Sequence, residues 1–238
     1  MRLGTLLPTF RDDPADALAA GARAMAAGLD GVFAYDHLWP MGSPERPALA
    51  PFEVLTAVAV RTQALVVGTL VARVGLVTEA VSLGQFRALR AVAGDRVIAA
   101  LGTGDALSRE ENLAYGVDFP LPDVRRASMR SIAGVLQDEG MEVWIGAGAP
   151  ATRAIAVELG CTLNLWAATP ADVAAAAKVA TVSWAGPTPL RDGHFDEDAT
   201  AVLLDQLEDA GATWAVFDPR APIEGLAALR GSAATRDR

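Results

Sequence analysis

Short apolar runs alternate with alanine-rich stretches along the whole chain, and this alternation limits the possible fold more than any other feature. Eight of the runs are rich in β-forming residues and are predicted strands: 2–8, 31–36, 65–71, 96–102, 142–146, 162–166, 179–184 and 213–217. Each run is continuously apolar, as in parallel strands that helices cover. Strands that alternate with helices in this way predict an α/β fold.

The stretches between the strands carry helix start and stop signals. Asp13 and Pro14 are suited to open the first helix, which should end near Gly28. Proline or threonine begins most of the others. We predict a helix after Pro51, a short last helix after Pro222, and helices over 78–93, 122–137, 150–159, 170–177 and 196–210.

Eight βα units in one chain predict a (β/α)8 TIM barrel. At 238 residues, the barrel lies near the low end of the usual size range and should have shortened loops. We expect one domain over residues 1–230 and a frayed C-terminal tail over 231–238. A doubly wound open sheet is the alternative, but it would use fewer strands, and no GxGxxG fingerprint follows the first strand.

Composition excludes several classes of function. The net charge of −9 argues against a nucleic-acid partner, and no apolar stretch is long enough for a membrane span. Cys161 is the only cysteine and cannot form an internal disulfide, so we expect a cytoplasmic protein. Lys178 is the only lysine, which argues against most lysine-based catalysis. Two histidines without a carboxylate cluster predict no metal site.

In a TIM barrel the active site lies at the carboxyl ends of the strands. His37 falls there, after the second strand and beside Asp36 and Trp39. An imidazole at this place suits proton transfer or stabilisation of charge on a cofactor, and a structural histidine is the alternative. His194 lies in a polar loop and is predicted to be solvated.

Two glycine-containing turns follow the fourth and fifth strands. Residues 102–105 would let the backbone approach a flat ligand, with Asp105 at the mouth of the barrel. Residues 146–152 run directly into a helix, whose first N–H groups suit a phosphate. Tight βα turns also need glycine for their geometry alone.

The other candidate residues are interpreted more simply. Four tryptophans in or at the ends of strands are core candidates (Trp144, Trp166, Trp184 and Trp214), and Trp39 is placed over a ring-shaped ligand. The acidic pairs Asp12/Asp13 and Glu110/Glu111 are predicted to be solvated or capping charges rather than an acid–base dyad.

Taken in order, these segments resemble the luciferase-like monooxygenase superfamily, and within it the branch that uses the deazaflavin coenzyme F420. The resemblance rests on 2–9, 28–37, 67–71, 94–105 and 146–153. It implies an oxidoreductase that transfers a hydride between coenzyme F420 and a small organic substrate. It also makes a homodimer the expected assembly. The alternatives are an FMN-dependent monooxygenase and a non-catalytic flavin-binding barrel. An isomerase acting on a phosphate ligand would need a basic cluster that the last strands lack.

The resemblance also implies roles for individual residues. His37, Asp105 and Asp36 match residues that flank the cofactor ring or move protons, and a non-prolyl cis peptide bond is expected at Leu70–Val71 behind the ring. The cofactor contacts are Asp36, Thr69, Leu70, Val71, Thr103, Gly104, Ser108, Ala147, Gly148, Ala149 and Thr152. Trp39 and Trp166 fall in the substrate pocket.

Two departures from the family pattern concern the substrate. The connection between the fourth and fifth strands is only 105–140, so the lid over the substrate should be reduced. Trp166 is followed by two alanines where relatives that act on sugar phosphates have basic residues, so a sugar phosphate is not expected. The substrate itself does not follow from the resemblance.

Overall fold

The computed structural model, which describes residues 1–40 and 42–236, contains a closed barrel of parallel strands. In order around the barrel they are β3 (Val66–Thr69), β2 (Gly31–Ala34), β1 (Arg2–Leu6), β11 (Ala212–Phe217), β8 (Val182–Gly186), β7 (Thr162–Trp166), β6 (Glu142–Gly146), β5 (Val97–Gly102) and β4 (Ala72–Arg73). Strand β4 continues β3 after a bulge, and both pair with β5, which closes the ring. The eight-stranded TIM barrel is confirmed, because β3 and β5 would not pair with each other in an open sheet.

Helices surround the barrel on its outer face. They are α1 (Ala15–Ala27), α2 (Pro51–Arg61), α3 (Glu79–Ala93), α4 (Ala106–Ala114), α5 (Pro122–Asp138), α6 (Pro150–Leu159), α7 (Pro170–Ala177), α8 (Glu197–Asp209) and α9 (Ile223–Arg236). A short hairpin, β9 (Leu190–Arg191) and β10 (His194–Phe195), follows β8. None of the helices in the described part of the chain is long and apolar enough to span a membrane.

Aromatic side chains fill the inside of the barrel. The ring centroid of Phe33 lies 5.3 Å from that of Trp144 and 5.6 Å from that of Trp214, and all three are almost fully buried. Gly68 leaves room for them, since a Cβ there would lie 2.9 Å from Phe33 Cε1. The barrel is therefore a packed core, and a ligand can bind only at its ends.

Besides shifts of one or two residues at the ends of other strands and the β9–β10 hairpin, which was not predicted, three details differ from the sequence predictions. Strand β8 begins at Val182 rather than at 179, because Val179 still closes the last turn of α7 through a hydrogen bond to Ala176 O. Helix α9 is not short: it runs to Arg236, with Leu226 and Leu229 buried. Residues 237 and 238 of the predicted 231–238 tail lie outside the described residues.

Helix α4 is the third difference, because the sequence predictions contained no helix there. The residues that it buries are Ser108, Glu111 and Asn112, all of them polar. Helix prediction depends on apolar residues at helical spacing, and the inward face of α4 has none. This polar face belongs to the site described next.

Candidate active site

Four ionisable side chains meet beside the carboxyl end of β2. Asp36 and His37 come after this strand and Tyr35, Arg73 is the last residue of β4, and Glu111 lies on α4. Because β2 and β3 pair in register, the chain on either side of the bulge passes close to the end of β2. Active sites of TIM barrels lie at this end of the barrel.

Glu111 is the centre of this cluster, and its side chain is only 1% exposed. Its Oε1 lies 2.7 Å from His37 Nδ1. Its Oε2 accepts hydrogen bonds from the backbone N–H of Leu38 at 2.9 Å and from Arg73 Nη2 at 3.0 Å. The prediction that Glu111 is a solvated or capping charge is therefore wrong, whereas its neighbour Glu110 is exposed.

The Glu111 carboxylate determines which nitrogen of His37 is available to a ligand. A carboxylate that faces Nδ1 favours a proton on that atom, so the neutral ring has its lone pair on Nε2. The His37 side chain is 23% exposed, and no described residue forms a hydrogen bond to Nε2. His37 can therefore exchange a proton with a molecule bound at the mouth of the barrel.

Asp36 lies on the other side of Arg73, where its Oδ2 accepts a hydrogen bond from the Arg73 backbone N–H at 2.7 Å. Burial raises the pKa of Asp36. The hydrogen bond and the positive charges of Arg73 and His37 oppose this shift only in part, and the negative charge of Glu111 adds to it. A raised pKa makes a carboxyl group a better proton donor near neutral pH.

The pKa of Asp105 is shifted in the opposite direction from that of Asp36. It caps α4, with its Oδ1 accepting from Ser108 N at 3.0 Å and from Ser108 Oγ at 3.1 Å. Burial would raise the pKa of Asp105, but hydrogen bonds from Ser108 and Leu107 and the charge of His37 together lower it. Asp105 thus stays ionised at neutral pH, and it is exposed at the mouth. An ionised carboxylate can accept a proton but not donate one, and the lowered pKa makes Asp105 a weak base.

The bulge after β3 contains the expected cis peptide bond at Leu70–Val71. Thr69 is fully buried, and its hydroxyl donates to Ala100 O at 2.7 Å, while Leu70 is 5% exposed. Val71 alone of these three residues is partly exposed. Its side chain covers Gly102, where a Cβ would lie 2.4 Å from Val71 Cγ2. The bulge therefore presents Val71 as its accessible surface.

The turn that follows β5 is shaped around Arg73. Gly104 has a φ of +68°, and a Cβ there would lie 3.1 Å from Arg73 Cδ and 3.1 Å from Ser108 Cβ. Thr103 is half-buried between Gly102 and Gly104. Ser108 is buried, and its hydroxyl is engaged in the Asp105 cap. A side chain at position 104 would therefore push against the charged cluster.

The turn before α6 uses most of its own hydrogen-bonding groups. Ala147 N–H donates to Asn164 O at 2.9 Å, and Ala149 N–H faces Thr152 Oγ1 at 3.3 Å. Within the described chain, the Gly148 N–H has no hydrogen bond, and Gly148 is exposed. Of the three predicted phosphate contacts, Gly148 is thus the one whose N–H is available.

Aromatic rings form one side of the mouth. Tyr35 stacks on Phe10 with 5.4 Å between ring centroids, and it meets Trp166 edge-on with 6.0 Å between ring centroids. Burial raises the pKa of Tyr35, and the nearby charge of Asp218 adds to this effect. Trp166 is 51% exposed, so it is a surface residue of the mouth and not a core residue.

The remaining aromatic and histidine predictions have mixed outcomes. Trp39, which the sequence placed over a ring-shaped ligand, is 9% exposed and packs against Tyr115 at 5.6 Å between centroids. Trp144, Trp184 and Trp214 are core residues as predicted. His194 is exposed on β10, also as predicted.

The N-terminal half of the chain identifies the family. Residues 1–127, just over half of the 238 residues, match the family model described as luciferase-like monooxygenase. The chain belongs to the luciferase-like monooxygenase family. Membership confirms the resemblance found in the sequence and makes the protein one of a family of oxidoreductases. No curated protein sequence matches the chain.

Solved structures of luciferase-like fold are similar to it over nearly the whole chain. An F420-dependent secondary alcohol dehydrogenase, solved with an F420–acetone adduct, superposes with a TM-score of 0.79 at 15% identity, covering 96% of this chain and 97% of that one. The coenzyme F420-dependent tetrahydromethanopterin reductase of Methanopyrus kandleri has a TM-score of 0.76 at 14% identity, covering 97% of both chains. EDTA monooxygenase from Chelativorans sp. BNC1 has a TM-score of 0.77 at 11% identity, covering 98% and 94%. At these identities the likeness shows the fold alone.

Sequence reasoning missed Glu111, Arg73 and Tyr35. A helix assignment for 106–114 would have shown that Ser108, Glu111 and Asn112 share one face, since residues three and four apart do so. Arg73 had no comparable pattern, because only the bulge places its backbone against Asp36.

Proposed function

We propose that this luciferase-like protein transfers a hydride between coenzyme F420 and a small organic substrate. The observation that carries the proposal is the Asp36–His37 pair at the end of β2, with His37 Nδ1 held by the buried Glu111. The pair lies close to the Val71 bulge, because Asp36 is hydrogen-bonded to Arg73, two residues after Val71. A proton-exchanging group thus lies next to a surface on which a flat ring can rest.

The residues around the bulge fit a flavin-like ring. Val71 presents an apolar surface, and it lies so close to Gly102 that a Cβ there would be 2.4 Å away. Gly146 is similarly close, with 3.4 Å between a Cβ and Val71 Cγ1. These glycines let the Val71 side chain lie close to the strand ends. Coenzyme F420, when bound, supplies the hydride chemistry, and the protein orients it.

The polar residues of the site have different roles in proton transfer. His37 exchanges a proton through Nε2, while Glu111 keeps the ring in one orientation. Asp36, whose pKa is raised by burial, is the better carboxyl donor, and Asp105, whose pKa is lowered, is an acceptor. The free N–H of Gly148 at the start of α6 contacts the cofactor phosphate.

Separate titrations of coenzyme F420 and FMN test this proposal, with ligand fluorescence or absorbance as the measurement. We expect saturable binding of F420 that is tighter than the binding of FMN. Binding of FMN alone would refute the choice of cofactor. Binding of neither would refute the assignment of a flavin site.

Replacing His37 tests the proposed proton exchange. His37→Ala should retain the fold and most of the affinity for the cofactor while turnover falls by about 10²–10⁴-fold. His194→Ala is the matched control, because His194 is exposed on β10 and is the only other histidine. Unchanged turnover in His37→Ala would show that another group moves the proton.

An FMN-dependent monooxygenase is the second candidate, because EDTA monooxygenase is as similar in fold as the F420-dependent enzymes. Oxygen consumption with reduced FMN would favour it. Bound cofactor without turnover would instead support the non-catalytic barrel. A cytoplasmic homodimer that acts on a small molecule stays our prediction, and light scattering of the purified protein would test the dimer.

A further inference from the structure

The order of the strands divides the mouth of the barrel into two halves. One half consists of β3 with β4, β5 and β6, whose bulge and turns form the surface that fits a flavin-like ring. The other half consists of β1, β11, β8 and β7, which also follow one another around the barrel. Strand β2 lies between β3 and β1, so His37, which comes after β2, is at the boundary of the two halves. A substrate that exchanges a proton with His37 therefore has the second half to bind in.

Tyr35 and Trp166 meet across the mouth. Tyr35 follows β2, Trp166 is the last residue of β7, and three strands lie between β2 and β7 on either side of the barrel if β3 and β4 count as one. Their ring centroids are nevertheless only 6.0 Å apart. Phe10, from the loop after β1, stacks on Tyr35, and the Trp166 side chain is exposed. The second half of the mouth thus has an aromatic wall.

The hydroxyl of Tyr35 is a hydrogen-bond donor at this wall. Within the described chain it has no hydrogen-bond partner. Burial and the negative charge of Asp218 raise the pKa of Tyr35, and the positive charge of Arg220 opposes this shift only in part. The hydroxyl therefore keeps its proton at neutral pH. Because both charges act on it, it lies near Asp218 and Arg220, which follow β11.

Asp218 holds Arg220 in one orientation. Its Oδ1 accepts from Thr188 Oγ1 at 2.6 Å and from the backbone N–H groups of Thr188 and Arg220 at 3.3 Å and 3.2 Å. Its Oδ2 pairs with Arg220 Nε at 2.8 Å and with Nη2 at 2.6 Å. Asp218 and Thr188 are buried, whereas the Arg220 side chain is 54% exposed. A buried carboxylate thus fixes an arginine that solvent can reach.

One edge of the Arg220 guanidinium is available to a ligand. Asp218 occupies the edge made by Nε and Nη2, and no described residue accepts a hydrogen bond from Nη1. The edge made by Nη1 and Nη2 has the geometry that binds both oxygens of a carboxylate. Since Asp218 already balances the charge of Arg220, the site suits an anion with one negative charge better than a phosphate with two.

We propose that Arg220 and the Tyr35 hydroxyl bind a carboxylate of the substrate, so that the substrate is a small organic acid with a planar, apolar body. This inference rests on the proposed function and names the substrate class of the same site. The aromatic wall of Tyr35 and Trp166 packs against the body of the molecule. The Tyr35 ring centroid lies 6.1 Å from that of His37, so a small molecule bound at this wall reaches the proton-exchanging group.

Benzoate, benzamide and phenyl phosphate test the proposal, because they share one ring and differ only in the group that it carries. Each is titrated into the protein alone and into the protein saturated with coenzyme F420. The measurement is the change in tryptophan fluorescence, which reports on the wall because Trp166 is the one exposed tryptophan of the five.

The titrations are repeated with Arg220→Met, Arg220→Lys and Tyr35→Phe. Arg191→Met is the matched control for the arginine, because Arg191 is also exposed and pairs with an aspartate, Asp196, at 2.9 Å. Tyr115→Phe is the matched control for the tyrosine, because Tyr115 is the only other tyrosine and is exposed.

In the wild type and in both controls, we expect benzoate to bind more tightly than benzamide and phenyl phosphate. Arg220→Met should reduce the preference for benzoate over benzamide by about tenfold to a hundredfold, and Tyr35→Phe should reduce it by about tenfold. Arg220→Lys should lie between Arg220→Met and the wild type, because it keeps the charge without the planar fork. Tighter binding of phenyl phosphate, or a preference that survives in Arg220→Met, would overturn the proposal.

Tyr35→Phe separates ligand binding from folding. Arg220→Met removes the partner of the buried Asp218 and should lower the Tm, whereas Tyr35→Phe leaves that pair intact and should keep the Tm of the wild type. A reduced preference in both variants supports the proposal. A reduced preference in Arg220→Met with an unchanged preference in Tyr35→Phe would overturn it, since the hydroxyl would then have no role.

The same titrations distinguish this inference from the proposed function. If neither F420 nor FMN binds while benzoate binding depends on Arg220 and Tyr35, the proposed function fails and the carboxylate site is supported. If F420 binds and benzoate does not, only the substrate class is refuted. If F420 displaces benzoate, the carboxylate site overlaps the cofactor site, which also overturns the proposal.

Discussion

Replacing Glu111 by glutamine would remove one charge from the buried cluster while keeping the size of the side chain. In the wild type, Oε2 accepts from Leu38 N at 2.9 Å and from Arg73 Nη2 at 3.0 Å, and Oε1 faces His37 Nδ1 at 2.7 Å. A glutamine oxygen can keep the first two bonds, so its N–H group must face Nδ1. His37 would then leave Nδ1 unprotonated and carry its proton on Nε2.

The structure limits the size of the effect on stability. Loss of one hydrogen bond between charged groups costs about 1.5–3 kcal/mol. Arg73 is only 4% exposed, so loss of its single carboxylate partner could cost as much as breaking a buried pair, about 3–5 kcal/mol. We therefore expect the free energy of unfolding to fall by about 1.5–5 kcal/mol. Turnover should fall by about 10²–10⁴-fold, because Nε2 of the neutral His37 ring would carry a proton instead of a lone pair.

Urea unfolding and NMR of the imidazole nitrogens would measure these effects separately. The protein has only two histidines, so a His194→Ala background isolates the signals of His37. Glu110→Gln is the matched control, since it makes the same charge change at the exposed neighbouring position. If Glu111→Gln matched Glu110→Gln in stability and left the proton of His37 on Nδ1, the positioning role of Glu111 would be refuted.

Three further predictions concern other parts of the barrel. Burial raises the pKa of Asp36, so the stability that this carboxyl group contributes is present below the unfolded pKa of about 3.9 and is lost as pH rises through the native pKa. Asp36→Asn should therefore melt at a higher temperature than the wild type at neutral pH. A lower Tm would contradict this. Gly102→Ala should lower stability by about 1–3 kcal/mol in urea unfolding, because its Cβ would lie 2.4 Å from Val71 Cγ2, and Val71→Ala should restore it if that contact is the cause. Burial raises the pKa of Cys161 to about 11, so a thiol reagent monitored by absorbance should label the protein only after unfolding; rapid labelling of the native protein would disagree.

The strands were predictable because the order of apolar runs is a local property of the chain. Strands β6 and β7 begin and end at the predicted residues, and proline marks the starts of α2, α5, α6 and α7. Asp36, His37 and Asp105 could be placed at the mouth because parallel strands direct their carboxyl ends to the same side. The cis bond at Leu70–Val71 was expected from the family resemblance and is present.

Pairings between distant residues were beyond the sequence alone. Glu111 meets His37 across 74 positions, and Arg73 meets Glu111 across 38 positions. The acidic pair Glu110/Glu111 carries no local sign that one carboxylate is buried and the other exposed. Only the docking of α4 against the end of β2 decides this, because burial depends on which face of a helix meets the barrel.

The sequence by itself thus determined the barrel, its number of strands and the end at which chemistry takes place, since strand and helix periodicity act over a few residues at a time. Tertiary structure alone decided which charges are paired. Glu111, which the sequence predicted to be a solvated or capping charge, is buried and contacts His37. Arg125 is buried, and no described carboxylate pairs with it. The physical reason is that a charge acquires its role from the groups that surround it after folding, and those groups come from distant parts of the chain.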